Sequence, residues 1–65
     1  MITVNGEALQ CDETESLGTL MQQLGFSDKP CAVEVNQELV PHQHREDFAL
    51  HHGDAIEIVT LVGGG

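Results

Sequence analysis

Leu17, Leu20, Met21 and Leu24 recur at i, i+3, i+4 and i+7, the spacing that lines one face of an α-helix. The remaining apolar residues alternate, so this one helix, over about residues 15–24, has to bury its stripe against a sheet. Thr14 or Ser16 can cap its start, and Asp12, Glu13 and Glu15 lie near its positive end. Gly25 stands where a left-handed C-terminal cap is expected. A chain of 65 residues holds one domain with a small core, burying about 60% of its extended surface. It cannot spare four large side chains for a partner, and the stripe is read as core.

The strands that cover this stripe lie on both sides of it. Ile2 and Val4 share a face, and Asn5-Gly6 follows, the pair that best tolerates positive φ at both positions of a tight hairpin. The return strand runs from Glu7 to Cys11, with Leu9 and Cys11 toward the core. After Asp28, Lys29 and Pro30 break the helical pattern, Cys31, Val33 and Val35 alternate with Ala32, Glu34 and Asn36. Asn36-Gln37 turns the chain into a short strand, Glu38 to Val40, ended by Pro41. Residues 42–47 form a polar loop or short helical turn, and Phe48 and Leu50 anchor its end. A turn at Gly53-Asp54 launches the last strand, Ala55 to Val62. The expected class is α+β, one helix on one face of a four- to five-stranded mixed sheet.

The last strand breaks its own pattern. Ile56, Ile58 and Val62 share a face with Thr60, but after Glu57 the opposite face carries Val59 and Leu61. Either the strand is central and covered on both sides, or its far end exposes Val59 and Leu61, with Val62 beside them, as a docking patch.

Charge and size narrow the function. Two basic residues, Lys29 and Arg45, stand against eleven acidic ones, a formal charge of −9. That balance repels phosphate backbones and anionic membranes, excluding nucleic-acid and membrane-surface binding as the working mode, and suits docking to a basic partner. No apolar run approaches the roughly 18 residues of a membrane span, and no signal peptide is legible, so a cytoplasmic protein is expected. Cys11 and Cys31 lack C-x-x-C spacing and read as reduced, small buried hydrophobes. His42, His44, His51 and His52 show no closed four-ligand spacing and read as solvated residues flanking turns, so no metal is expected. There is no nucleophile with a neighbouring base, no phosphate-cradling loop and no room for a deep cleft. Such a chain is a substrate, carrier or subunit, with no cofactor of its own.

Three segments carry a resemblance: "ITVNG" at the start, "VEVNQELVP" at positions 33 to 41, and "GDAIEIVTLVGGG" from Gly53 to the end. Together they resemble the ubiquitin-like β-grasp fold and, within it, the ThiS/MoaD family of small sulfur carriers, closest to the branch serving thiamine thiazole synthesis. The similarity covers essentially the whole chain. It implies that residues 1–62 form a β-grasp domain and residues 63–65 a flexible tail. It also implies that the Gly65 carboxylate is adenylated with ATP by a ThiF-type adenylyltransferase. Sulfur from a cysteine desulfurase then replaces AMP, and the thiocarboxylate delivers it to thiazole synthase, ThiG. Gly63 and Gly64 would be the arm that presents Gly65, since residues without a Cβ thread a narrow channel most easily. Two other readings remain: a small subunit of molybdopterin synthase, which shares the fold and the adenylation step, and a passive acidic or metal-binding module with an inert tail.

Overall fold

The computed structural model describes residues 1–11 and 15–61. Its elements are β1 (Ile2–Val4), β2 (Glu7–Leu9), α1 (Leu17–Gln23), β3 (Cys31–Val35), β4 (Glu38–Leu39), a 3-10 turn (His42–His44) and β5 (Ala55–Thr60). The strands make one five-stranded sheet in the order β2-β1-β5-β3-β4. β1 and β5 run parallel and the other neighbours antiparallel, the mixed sheet of a β-grasp roll. No helix among the described residues is long and apolar enough to cross a membrane.

One face of the sheet is covered. Leu17, Leu20 and Met21 of α1 pack with Ile2, Val33, Val35, Ile56 and Ile58, and Leu50 closes the core from the loop before β5. Leu9, Cys11, Phe26 and Phe48 lie partly buried at its margin.

The helix is shorter at both ends than its periodicity predicts, because its caps sit inside the expected range. Ser16 is the N-cap, its Oγ accepting from Thr19 N–H at 3.2 Å, while Thr14, the other candidate, lies outside the described residues. The other free donors of the first turn go to the segment before β5: Leu17 N–H to Phe48 O and Gly18 N–H to Arg45 O. At the C-terminal end Gly25 takes φ +84°, Gly25 N–H donates to Gln22 O and Phe26 N–H to Met21 O. That bonding pattern is a Schellman cap. It turns Phe26 toward the core and leaves Leu24, read as the last residue of the buried stripe, 38% exposed.

Strand boundaries contract in the same way. β2 ends at Leu9, β4 at Leu39 and β5 at Thr60, each short of its expected limit at Cys11, Val40 and Val62. The tail expected at 63–65 lies outside the described residues.

Gly18 is needed for close approach. A Cβ there would stand 3.1 Å from Glu46 Cα and 3.3 Å from Glu46 N, backbone of the segment that supplies the acceptor for Gly18 N–H. Ala in a helix normally gains ~1 kcal/mol over Gly. Overpacking costs ~1–3 kcal/mol, so Gly18→Ala should lose up to about 2 kcal/mol in urea unfolding instead of gaining.

Candidate functional site

The chain's last described strand is also its central one, and two asparagines hold it in place. Asn5 and Asn36 each open a hairpin turn in the left-handed region, with φ 50° and 53°. Gly6 (φ 85°) and Gln37 (φ 69°) complete the two turns, both in the positive-φ form that hairpins favour. Each Asn side chain then reaches β5. Asn36 Oδ1 accepts from Ala55 N–H at 3.0 Å and its Nδ2 donates to Asp54 Oδ1 at 3.0 Å, fixing where the strand begins. Asn5 Oδ1 accepts from Ile58 N–H at 2.8 Å and its Nδ2 donates to Ile58 O at 3.3 Å, standing in for a strand residue where β1 has ended. Sequence reasoning read both as turn formers and missed this second role; the signal was the repeated "VNGE" and "VNQE".

β5 is central, yet its second face is uncovered. Ile56 and Ile58 point to the helix at 1% and 6% exposure, whereas Val59 and Leu61 on the outer face are 58% and 54% exposed. Both halves of the sequence alternative thus hold in part: central position does not bring burial on two sides, because the one helix covers one face. The register sets Val59 opposite Ala32 on β3 and Glu57 opposite Glu34, which in turn pairs with the exposed Leu39 of β4. The outer face is therefore an apolar strip of Ala32, Val59 and Leu61 with carboxylates at its flank. Leu61 N–H donates to Pro30 O at 2.9 Å, so pairing with the β3 side continues one residue past the end of β5. Val62, Gly63, Gly64 and Gly65, the other residues singled out by sequence, lie outside the described residues.

The titratable residues do not converge. Among the described residues no three His, Cys, Asp or Glu side chains come together as metal ligands. His42 Nδ1 meets Arg45 Nη1 at 3.4 Å, and His52 Nδ1 meets the Met1 amino group. Cys11 Sγ donates to Glu15 Oε2 at 3.2 Å, and Cys31 is a buried thiol. Arg45 Nη2 donates to Cys31 O at 2.8 Å, occupying the edge of β3 past the end of β4; sequence gave no sign of this strut.

Comparison with known proteins accords with this geometry. The family model that matches residues 2–65 is that of the ThiS family. The chain is 28% identical to the sulfur carrier protein ThiS of Escherichia coli K12 over 64 residues, covering 98% of this chain and 97% of that one. It is 34% identical to a thiazole synthase of Paramagnetospirillum magneticum over 64 residues, 98% of this chain but 20% of that protein. A crystal structure of thiamine biosynthesis protein ThiS from Geobacter metallireducens superposes with a TM-score of 0.79 at 27% identity, over 98% of this chain and 97% of that one. The family match over residues 2–65 and the shared fold show that this chain belongs to the ThiS family.

Proposed function

We propose that this protein is a sulfur carrier, a protein cosubstrate whose Gly65 carboxylate is the reactive group. The observation that carries the reading is that the family match runs over residues 2–65, a span that includes the terminal glycines. A carboxylate is a poor electrophile. A ThiF-type adenylyltransferase would join it to AMP from ATP with release of pyrophosphate. A persulfide charged by a cysteine desulfurase would then displace AMP to give an acyl disulfide, and a second thiol, such as free cysteine, would reduce that S–S bond, leaving the thiocarboxylate and a disulfide. ATP belongs to the partner, and the carrier needs no cofactor. The acceptor is a thiazole synthase of thiamine biosynthesis, a partnership supported by the thiazole synthase whose sequence includes a stretch similar to this whole chain.

Within this reading Gly63 and Gly64 thread the partner's channel, and Val59, Leu61 and Val62 dock beside it. The exposure of Val59 and Leu61 and the acid flanking them favour a partner surface that is apolar with a basic rim. Val59→Asp with Leu61→Asp is expected to raise the KM of adenylation for the carrier about thirtyfold, the loss of ~2 kcal/mol at the centre of an interface. Both residues are exposed, so thermal unfolding should change little, and an unaltered KM would remove the outer face from the docking surface.

The test of the function is intact-mass measurement after incubation with the adenylating enzyme, ATP, a cysteine desulfurase and cysteine. Replacement of one oxygen by sulfur at Gly65 is the expected result. An unchanged mass with an enzyme that modifies its own carrier would refute it.

A further inference from the structure

β5 lies between two strands, but one of its edges is open near its C-terminal end. Its backbone groups alternate in direction. Those of Ala55 and Leu61 face β3, where Ala55 O accepts Asn36 N–H and Leu61 N–H reaches Pro30 O. Those of Asp54, Ile56 and Ile58 face β1: Asp54 O accepts Thr3 N–H at 3.0 Å, Ile56 O accepts Asn5 N–H at 2.8 Å, and Ile58 is held by the Asn5 side chain. Thr60 is next in this series. There β1 has already turned away through Asn5 and Gly6, and the Thr60 N–H and C=O meet no partner among the described residues. An unpaired donor and acceptor on a strand edge is a template for another strand.

Beside this edge lies a groove of about 240 Å³ lined by Val4, Asn5, Leu9, Leu24 and Phe26, with Glu7 at its rim. Asn5 is common to the groove and to the clasp on Ile58. Leu24 is exposed here because the Schellman cap turned Phe26 inward in its place.

We propose that the Thr60 edge seats an extended segment of the adenylating partner, paired with β5 by main-chain hydrogen bonds and laying one apolar side chain in this groove. The inference rests on the carrier reading and specifies how the partner grips it. A strand added at this edge sends alternate side chains to the helix side, where the groove opens. Charge selects the occupant. A second copy would bring another formal charge of −9 and another Glu7 to the contact, whereas a segment with a basic residue beside its apolar one meets Glu7 favourably. Lys29 already lies over the ring of Phe26, one of the lining residues, at 5.9 Å, so a basic residue of the segment is favoured near Glu7 and disfavoured near Phe26.

Amide hydrogen exchange of the full chain, alone and with the adenylating enzyme in the absence of ATP, tests this. The Thr60 amide is expected to exchange freely in the isolated protein and to slow at least about tenfold in the complex, as one added backbone hydrogen bond would require. Thr60→Pro, which removes a donor that β3 does not use, should weaken the complex by a similar factor while core amides such as Ile56 stay protected. A complex in which Thr60 exchanges as freely as before overturns the inference and leaves the carrier reading standing. No complex and no thiocarboxylate overturns both. Protection of Thr60 in the free protein also overturns it: lost on dilution, it assigns the edge to a second copy, and independent of concentration, to the chain's own terminal residues.

Discussion

Deletion of Gly65, or Gly64→Val, is expected to reduce thiocarboxylate formation below detection while leaving the urea midpoint of the domain unchanged. The two changes fail for different reasons. On the carrier reading, without Gly65 the carboxylate would stop one residue, roughly 3.3–3.6 Å of extended chain, short of the nucleotide, where a misplacement of even about 1 Å can cost on the order of 100-fold. Gly64→Val keeps the length but adds a β-branched side chain at a residue that, on the same reading, would thread the partner's channel without a Cβ. Intact mass after incubation with the adenylating enzyme and ATP reads both outcomes. Separate measurement of AMP-adduct formation then tells whether the block falls before or after activation. Gly64→Val carrying sulfur at the normal rate would remove the threading argument and leave the terminal carboxylate as the one requirement.

Ile56→Ala is expected to have the largest effect on stability. Ile56 is 1% exposed at the centre of the sheet, on the face that α1 covers, where its removal leaves a cavity that the flanking strands cannot close. Such truncations cost ~2–5 kcal/mol, against a total of about 3–10 kcal/mol expected for a domain of this length. A large unfolded fraction at room temperature should be visible in the urea baseline. Val59→Ala, on the same strand but 58% exposed, should move stability by less than ~0.5 kcal/mol. The contrast separates the two faces of β5: equal losses would mean that Val59 is buried in solution.

Elements with a strong local signal were legible in sequence. The helical stripe gave α1, Asn5-Gly6 gave the first hairpin, and the Cys31, Val33, Val35 alternation gave β3 with those three residues buried. Asn36-Gln37 turned as expected although Gln37 pays for positive φ, because the Asn36 side chain is anchored to Asp54 and Ala55, residues far along the chain. Ends of elements were less legible, since caps compete with periodicity: Ser16 and Gly25 set the helix limits, and the limits of β5 depend on neighbours supplied by β1 and β3.

Of the candidate site, the sequence by itself determined the break in alternation after Glu57, the excess of acid and the glycine terminus, because these are properties of residue order alone. Only the tertiary structure decided that Val59 and Leu61 face outward from a central strand, since that follows from which side the single helix packs. It also decided that Asn5 finishes the pairing of Ile58 and stops there, leaving Thr60 open. An edge exists or not according to where a neighbouring strand ends, and that neighbour, β1, lies at the opposite end of the chain.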